Sequence, residues 1–288
     1  MKNRIFLIAL TLVNIVFWGC NPQEKEKNVV SVSIPPLSYF IDRLTDNSLD
    51  VNIMVPDGAS HATYSPTTRQ MQKLSDSGVF FQIGYLGYEK AFQRNLNNLN
   101  PDMVVVNLSD NVQLIRGPEI DHGDHVHEGG IDPHIWMSPS IMLKLLPALK
   151  NTIIANHQDL KDVVEQNYTL LYNEVEQVHQ EFVGLGEEIQ NKGFMIFHPA
   201  LTYTARDYGL TQIPIEHEGK EPSPSQLREI IRKGQDIPVV FIQKEYDIRN
   251  ARIIAEETGA EIVQINPMDY NWMESMNQIK EAFKKYLL

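Results

Sequence analysis

Residues 160–189 read LKDVVEQNYTLLYNEVEQVHQEFVGLGEEI, and the architecture turns on this stretch. Apolar side chains fall at Leu160, Val164, Tyr168, Leu171, Val175, Val178, Phe182, Leu185 and Ile189, in steps of 4, 4, 3, 4, 3, 4, 3 and 4. That spacing lays a single apolar stripe along an α-helix. The opposite face is rich in Glu, Gln and Asn. At ~1.5 Å per residue the helix runs roughly 45 Å, longer than one small lobe. Lys192-Gly193 reads as its stop signal. Two readings fit the stripe: a helix lying along the backs of two lobes, and a coiled-coil strand with a seam rich in Val and Tyr.

Working outward, the same rhythm stands on both sides. Before the helix, runs 29–34, 51–55, 79–84 and 103–108 read as strands, with helix-like 66–75 and 86–98 between them. After it, 194–198, 211–215, 239–245 and 261–265 read as strands, separated by helix-like 202–209, 224–234, 248–258 and 272–286. Short β-branched runs alternating with helices predict parallel sheets covered on both faces. The fold class is therefore α/β: two lobes, each a mainly parallel sheet flanked by helices, joined by a single long backbone helix. The expected organisation is an N-terminal lobe over 29–150, the connecting helix over 151–192 and a C-terminal lobe over 193–288. A helical connector restricts hinge motion compared with flexible crossing strands.

The chain start carries an address. Met1-Lys2-Asn3-Arg4 is a basic head, and Ile5 to Gly19 is a nearly unbroken apolar run. Fifteen residues span only about 22 Å as a helix, short of a bilayer crossing, so 1–19 is expected to be a signal peptide. Gly19-Cys20 looks like a bacterial lipoprotein cleavage site, although Phe17 and Trp18 are bulkier than usual there; an uncleaved signal anchor is the alternative. Cys20 would be lipidated and hold the protein at a membrane, with 20–28 as a polar tether. The chain of 288 residues has 25 Lys+Arg against 37 Asp+Glu, a balance that argues against a nucleic-acid partner. One cysteine excludes internal disulfides, cysteine-based zinc sites and iron–sulfur clusters.

Histidine placement is the chemical signal. His122, His125 and His127 lie among Glu119, Asp121, Asp124, Glu128 and three glycines, a composition that makes a surface loop rather than a core. Such a loop captures divalent metal loosely, or is simply a solvated acidic loop. His134 follows Asp132-Pro133 and precedes Ile135-Trp136, where the chain re-enters apolar structure, and Asp132 is placed to orient its imidazole. His198 closes the run 194–198 at the carboxyl end of a central strand, the ligand side of an open α/β sheet. His61 lies in a Pro-Asp-Gly-Ala-Ser-His loop after 51–55, read as the equivalent place in the first lobe. His157 and His179, on the long helical stretch, read as surface or edge residues.

Asp132-Pro133-His134-Ile135-Trp136-Met137-Ser138-Pro139, His198 with Tyr203 and Arg206-Asp207-Tyr208-Gly209-Leu210, and Glu221-Pro222-Ser223-Pro224-Ser225-Gln226-Leu227 resemble the metal-binding receptors of bacterial zinc and manganese ABC importers, whose two lobes are joined by one long helix. The resemblance covers nearly all of 29–288. It implies a monomeric, extracytoplasmic lipoprotein that takes a metal ion in a cleft between the lobes and hands it to an ABC permease driven by its ATPase. It also implies His61, His134 and His198 as ligands and the acidic loop of His122, His125 and His127 as auxiliary capture. The chain departs from the family pattern at four places. His61 sits one position early, with Ala62 in the usual place; Ser65 replaces a Glu; Asn266 replaces a late Asp, with Asp269 nearby; and Glu216-His217-Glu218 introduces a histidine. Asp269, Glu216 and His217 are thus candidates for a fourth ligand. Three imidazoles favour Zn²⁺, while the carboxylates keep Mn²⁺ open.

No enzyme is expected. A zinc hydrolase is the alternative, but His127-Glu128 is not followed by a second histidine at zincin spacing, and Gly-x-Ser-x-Gly, P-loop and Gly-x-Gly-x-x-Gly motifs are absent from the sequence. A metal-chelate receptor calls for an aromatic or Arg-lined cleft, and nothing in the residues points to an adhesin's host surface.

Overall fold

One four-stranded parallel plan is used twice. In the N-terminal lobe β1 (Val29–Val32), α1 (Pro35–Thr45), β2 (Asp50–Ile53), α2 (Thr68–Asp76), β3 (Val79–Gln82), α3 (Gly87–Phe92), α4 (Leu96–Leu99) and β4 (Val104–Asn107) give the strand order β2-β1-β3-β4. A short antiparallel pair follows, β5 (Ile120–Asp121) with β6 (Val126–His127). Then come α5 (Pro139–Asn156) and the long α6 (Lys161–Glu188). The C-terminal lobe runs β7 (Gly193–Ile196), α7 (Thr202–Asp207), β8 (Thr211–Pro214), α8 (Pro224–Lys233), β9 (Val239–Gln243), α9 (Ile248–Thr258), β10 (Glu261–Ile265) and α10 (Trp272–Leu287). Its order is β8-β7-β9-β10, the same topology with β7 in the place of β1. This computed structural model describes residues 28–92, 95–117, 120–121, 126–127, 130–216 and 222–288. Cys20, the expected leader and nearly all of the tether, His122, His125, Glu128, His217 and Glu218 lie outside the described residues.

The sheets are parallel because their strands are apolar on both faces. β9 (Val-Val-Phe-Ile-Gln) is buried at every position, as is β3. Alternate side chains of β7 and β9 enter different cores. Phe194, Ile196, Val239 and Phe241 join one cluster that is continuous with α10, α6, α5 and the N-terminal lobe, whereas Met195, Phe197, Val240 and Ile242 pack a second, smaller core beneath α8 and α9. The two lobes therefore share one hydrophobic core along their backs.

The expected stripe lies along α6: Val164, Leu171, Val175, Val178, Phe182 and Leu185 are buried. Gly186 lets this helix approach the second lobe, since a Cβ there would lie 2.6 Å from the Tyr208 carbonyl oxygen. The stop differs from expectation. Asn191, at φ 64°, turns the chain in the left-handed region, while Gly193 already begins β7, with Ile237 Cδ1 packed where a Cβ would stand.

Two further helices were not legible. α1 opens with Pro35-Pro36, suited to a first turn, but these residues also read as a loop. α5 contains Pro147 and is apolar around most of its circumference, so it shows no clean stripe. The stretch 86–98 forms two short helices, α3 and α4, rather than one. His157 is buried at the end of α5, not on the surface, and its Nε2 has no hydrogen-bond partner. His179 is half-buried, with Nδ1 2.9 Å from the Tyr208 hydroxyl.

Candidate metal centre

Three chain segments from two lobes bring three imidazoles together. His61 comes from the loop after β2, His134 from the segment before α5, and His198 from the loop two residues beyond β7. The lobes do not contribute equivalent positions: β7 corresponds to β1, so His61 follows the strand next to the one that symmetry would give. All three residues are buried, and one ring nitrogen of each lies within 4.8 Å of the others. Ring centroids are 4.7 Å apart for His61–His134, 5.2 Å for His61–His198 and 5.0 Å for His134–His198.

Each of two rings is oriented from behind. The Nδ1 of His134 lies 2.7 Å from Asp132 Oδ1, which also accepts the His134 backbone N–H at 2.9 Å. The Nδ1 of His198 lies 2.5 Å from Glu216 Oε1. An ionised carboxylate only accepts, so these contacts place the proton on Nδ1 and leave a lone pair on each Nε2. The two Nε2 atoms then face each other at 3.2 Å. Two lone pairs so disposed repel unless a positive centre lies between them. Two nitrogens bound tetrahedrally to zinc at ~2.0–2.1 Å stand about 3.3 Å apart. His61 offers its own deficit: Nδ1 is buried without a hydrogen-bond partner.

Burial also favours the neutral form of two of the rings. Desolvation pushes His61 well below the ordinary histidine range, and the neighbouring His134 and His198 push it the same way. Desolvation likewise lowers His134, partly opposed by the Asp132 carboxylate. Neutral imidazoles with free lone pairs are the form that binds metal.

The supporting shell interlocks the sequence motifs. Gln243, at the end of β9, grips the His198 backbone from both sides, accepting its N–H at 3.2 Å and donating to its carbonyl at 2.5 Å. Tyr246 stacks on His198 with ring planes 20° apart. The Tyr203 hydroxyl donates to the Asp132 carbonyl at 2.7 Å and accepts from the Ile115 N–H at 3.1 Å. Ser138 caps α5 and donates to Asp207 Oδ2 at 2.5 Å, while the Tyr208 hydroxyl accepts the Ser140 N–H at 3.1 Å. Trp136 packs on His61 and His134, donates to the Pro267 carbonyl at 2.8 Å and accepts at its own carbonyl from Trp272 Nε1 at 2.7 Å. Beneath the His61 loop, buried Glu89 accepts the N–H groups of Ile83, Gly84 and Leu86 at 2.7–2.9 Å. The same turn brings Gly87 so near the Ala62 carbonyl that a Cβ would stand 2.9 Å from its oxygen.

Two of the other candidates, Glu216 and Asp269, are among the described residues. Glu216 sits on the outer nitrogen of His198. Asp269 accepts the Asn271 N–H at the start of α10, and Asn266 donates to Asp57 Oδ1 at 3.0 Å. Among the described residues the three histidines alone make a cluster of metal-binding geometry. Gln243, Tyr246 and Trp136 were missed as supports, since single aromatic and amide residues carry no spacing signal.

Residues 30–286 match the model of the family described as ZnuA, the periplasmic component A of a zinc-uptake complex. The chain belongs to this family. It is 23% identical over 279 residues to the zinc-binding lipoprotein AdcA of Streptococcus pneumoniae strain R6, covering 92% of this chain and 55% of AdcA, so it spans about half the length of that relative. It is 23% identical over 304 residues to the high-affinity zinc uptake system protein ZnuA of Bacillus subtilis, covering 98% of this chain and 95% of that one. The crystal structure of a zinc-bound ZnuA deletion mutant superposes with a TM-score of 0.79 at 27% identity, covering 90% of this chain and 97% of the other. Family membership and the three-imidazole cluster together fit Zn²⁺ as the ion.

Proposed function

We propose that this chain is an extracytoplasmic receptor that binds Zn²⁺ through His61, His134 and His198 and delivers it to an ABC permease and its ATPase. The observation that carries the reading is the pair of Nε2 lone pairs facing each other at 3.2 Å, each fixed by a carboxylate behind the ring. A cation relieves that repulsion, and three imidazole nitrogens suit zinc better than Mn²⁺, which prefers oxygen-rich sets. Glu216 then acts as an orienting partner of His198, and water or another side chain completes the coordination.

The hydrolase alternative needs a carboxylate free to activate water. Among the described residues, the carboxylates bonded to the cluster, Asp132 and Glu216, are engaged with imidazole Nδ1 atoms, which leaves the nearby Glu245 as the group a hydrolase would have to use. The zinc-uptake family and the named lipoprotein relative support an extracytoplasmic location with Cys20 as the lipid anchor, and delivery to a permease. The lobe and tether boundaries given above complete this reading, with the protein acting as a monomer. Among the described residues no helix is long and apolar enough to cross a membrane.

Isothermal titration of the purified protein with Zn²⁺ tests the reading. One tight site is expected, lost in His134→Ala and His198→Ala. A wild-type protein that takes up no Zn²⁺ overturns it.

A further inference from the structure

The loop that carries His61 is tied across the cleft to the opposite lobe. Asp57, four residues before His61, accepts from Asn266 Nδ2 at 3.0 Å and pairs with Lys244 Nζ at 3.5 Å. Both partners belong to the C-terminal lobe, just beyond β10 and β9. Tyr246, beside the Ser60 side chain of this loop, stacks on His198. Within its own lobe the loop is turned by the N–H groups of Ala59 to Pro56, Thr63 to Ser60 and Tyr64 to Ser60, and it is seated by Ala59 and Tyr64 on the core and by the Tyr64 hydroxyl on Gln70. It is thus a compact turn whose tip is attached across the cleft as well as to its own lobe. The lobes share one core along their backs, so opening at the tip of this loop, around Asp57, is a smaller rearrangement than separating the lobes.

We infer that Asp57, with Asn266 and Lys244, is a latch that holds the His61 loop shut and sets the rate at which bound metal leaves. The latch rests on the receptor reading above and assigns Asn266 as a positioning residue rather than a ligand. Both ties are solvent-exposed, so each is modest; losing the Asn266 arm should speed release roughly three- to tenfold. The Lys244 arm is ionic and weakens as salt rises.

The test follows Zn²⁺ leaving the loaded, purified protein into excess chelator by stopped flow, with Co²⁺-loaded samples reporting the ligand set by their visible spectrum. Asn266→Ala should release Zn²⁺ faster with an unchanged Co²⁺ spectrum. Asn266→Asp sets a carboxylate against Asp57 and should release faster still. The swap Asp57→Asn with Asn266→Asp restores a donor–acceptor pair and should return release toward the wild-type rate. An Asn266→Asp protein that binds Zn²⁺ more tightly or shifts the Co²⁺ spectrum overturns the latch, because residue 266 then faces the ion. Wild-type release rates in all variants overturn the latch and leave the receptor reading standing. A wild-type protein that binds no Zn²⁺ overturns both.

Discussion

His134 and His198 are 64 residues apart in sequence, yet their Nε2 atoms stand 3.2 Å apart while Asp132 and Glu216 hold the far side of each ring. The relationship joins the two lobes at a point where both are buried, and it fixes ring orientation before any ion arrives. His61 already stands against both rings, on a loop that has its own attachments.

Metal affinity should fall as pH drops, and late. Desolvation lowers the proton affinity of His61 and His134, so at these two rings protons compete with metal below the ordinary histidine range near 6.5. Competition titrations with a zinc chelator should show near-constant affinity from pH 8 to about 6.5 and a steep loss below.

The metal-free protein should share that direction for a different reason. A histidine whose folded pKa is depressed binds protons more readily when unfolded, so stability is fully present above the unfolded value of about 6.5 and declines as pH falls below it. Thermal midpoints of the metal-free form measured between pH 5 and 8 check this, and bound Zn²⁺ should raise the midpoint in the upper part of the range.

Variants should separate ligands from their supports. Glu216→Ala and Asp132→Ala remove an orienting group and should weaken Zn²⁺ binding by ~10–100-fold. His134→Ala and His198→Ala should cost well beyond that, whereas His125→Ala and His127→Ala should leave the tight site nearly unchanged. Calorimetry on the three pairs measures the order.

Trp272 ties the last helix to the centre. It is buried, packs on Phe40 and donates to the Trp136 carbonyl at 2.7 Å. Trp272→Ala should destabilise by about 3–5 kcal/mol, read from the denaturant midpoint. Trp272→Phe keeps most of the packing and should lose about 1 kcal/mol for the missing hydrogen bond.

The long helix and the parallel strands could be read from the chain because their periodicities follow directly from burial. The stripe from Val164 to Leu185 lies on the buried face of α6, and the runs in β3 and β9 are buried on both faces. α5 escaped because a helix covered on nearly every side shows no stripe, and Pro147 argues against it locally. At the site, Asp132 was legible beside His134 because the two are neighbours in sequence. The partnership of Glu216 with His198 was not, since β8 must pair with β7 before Glu216 and His198 meet. Asn266 stands out in sequence only as a departure from the family pattern; its partner Asp57 lies 209 residues away and emerges from the fold.

The most direct test of the central claim is a crystal of the purified protein grown with Zn²⁺, with anomalous data collected at the zinc and manganese edges. The account predicts a single strong zinc peak within ~2.0–2.1 Å of one nitrogen each of His61, His134 and His198. A zinc peak elsewhere, or rings at 134 and 198 that bind no common atom, would contradict it.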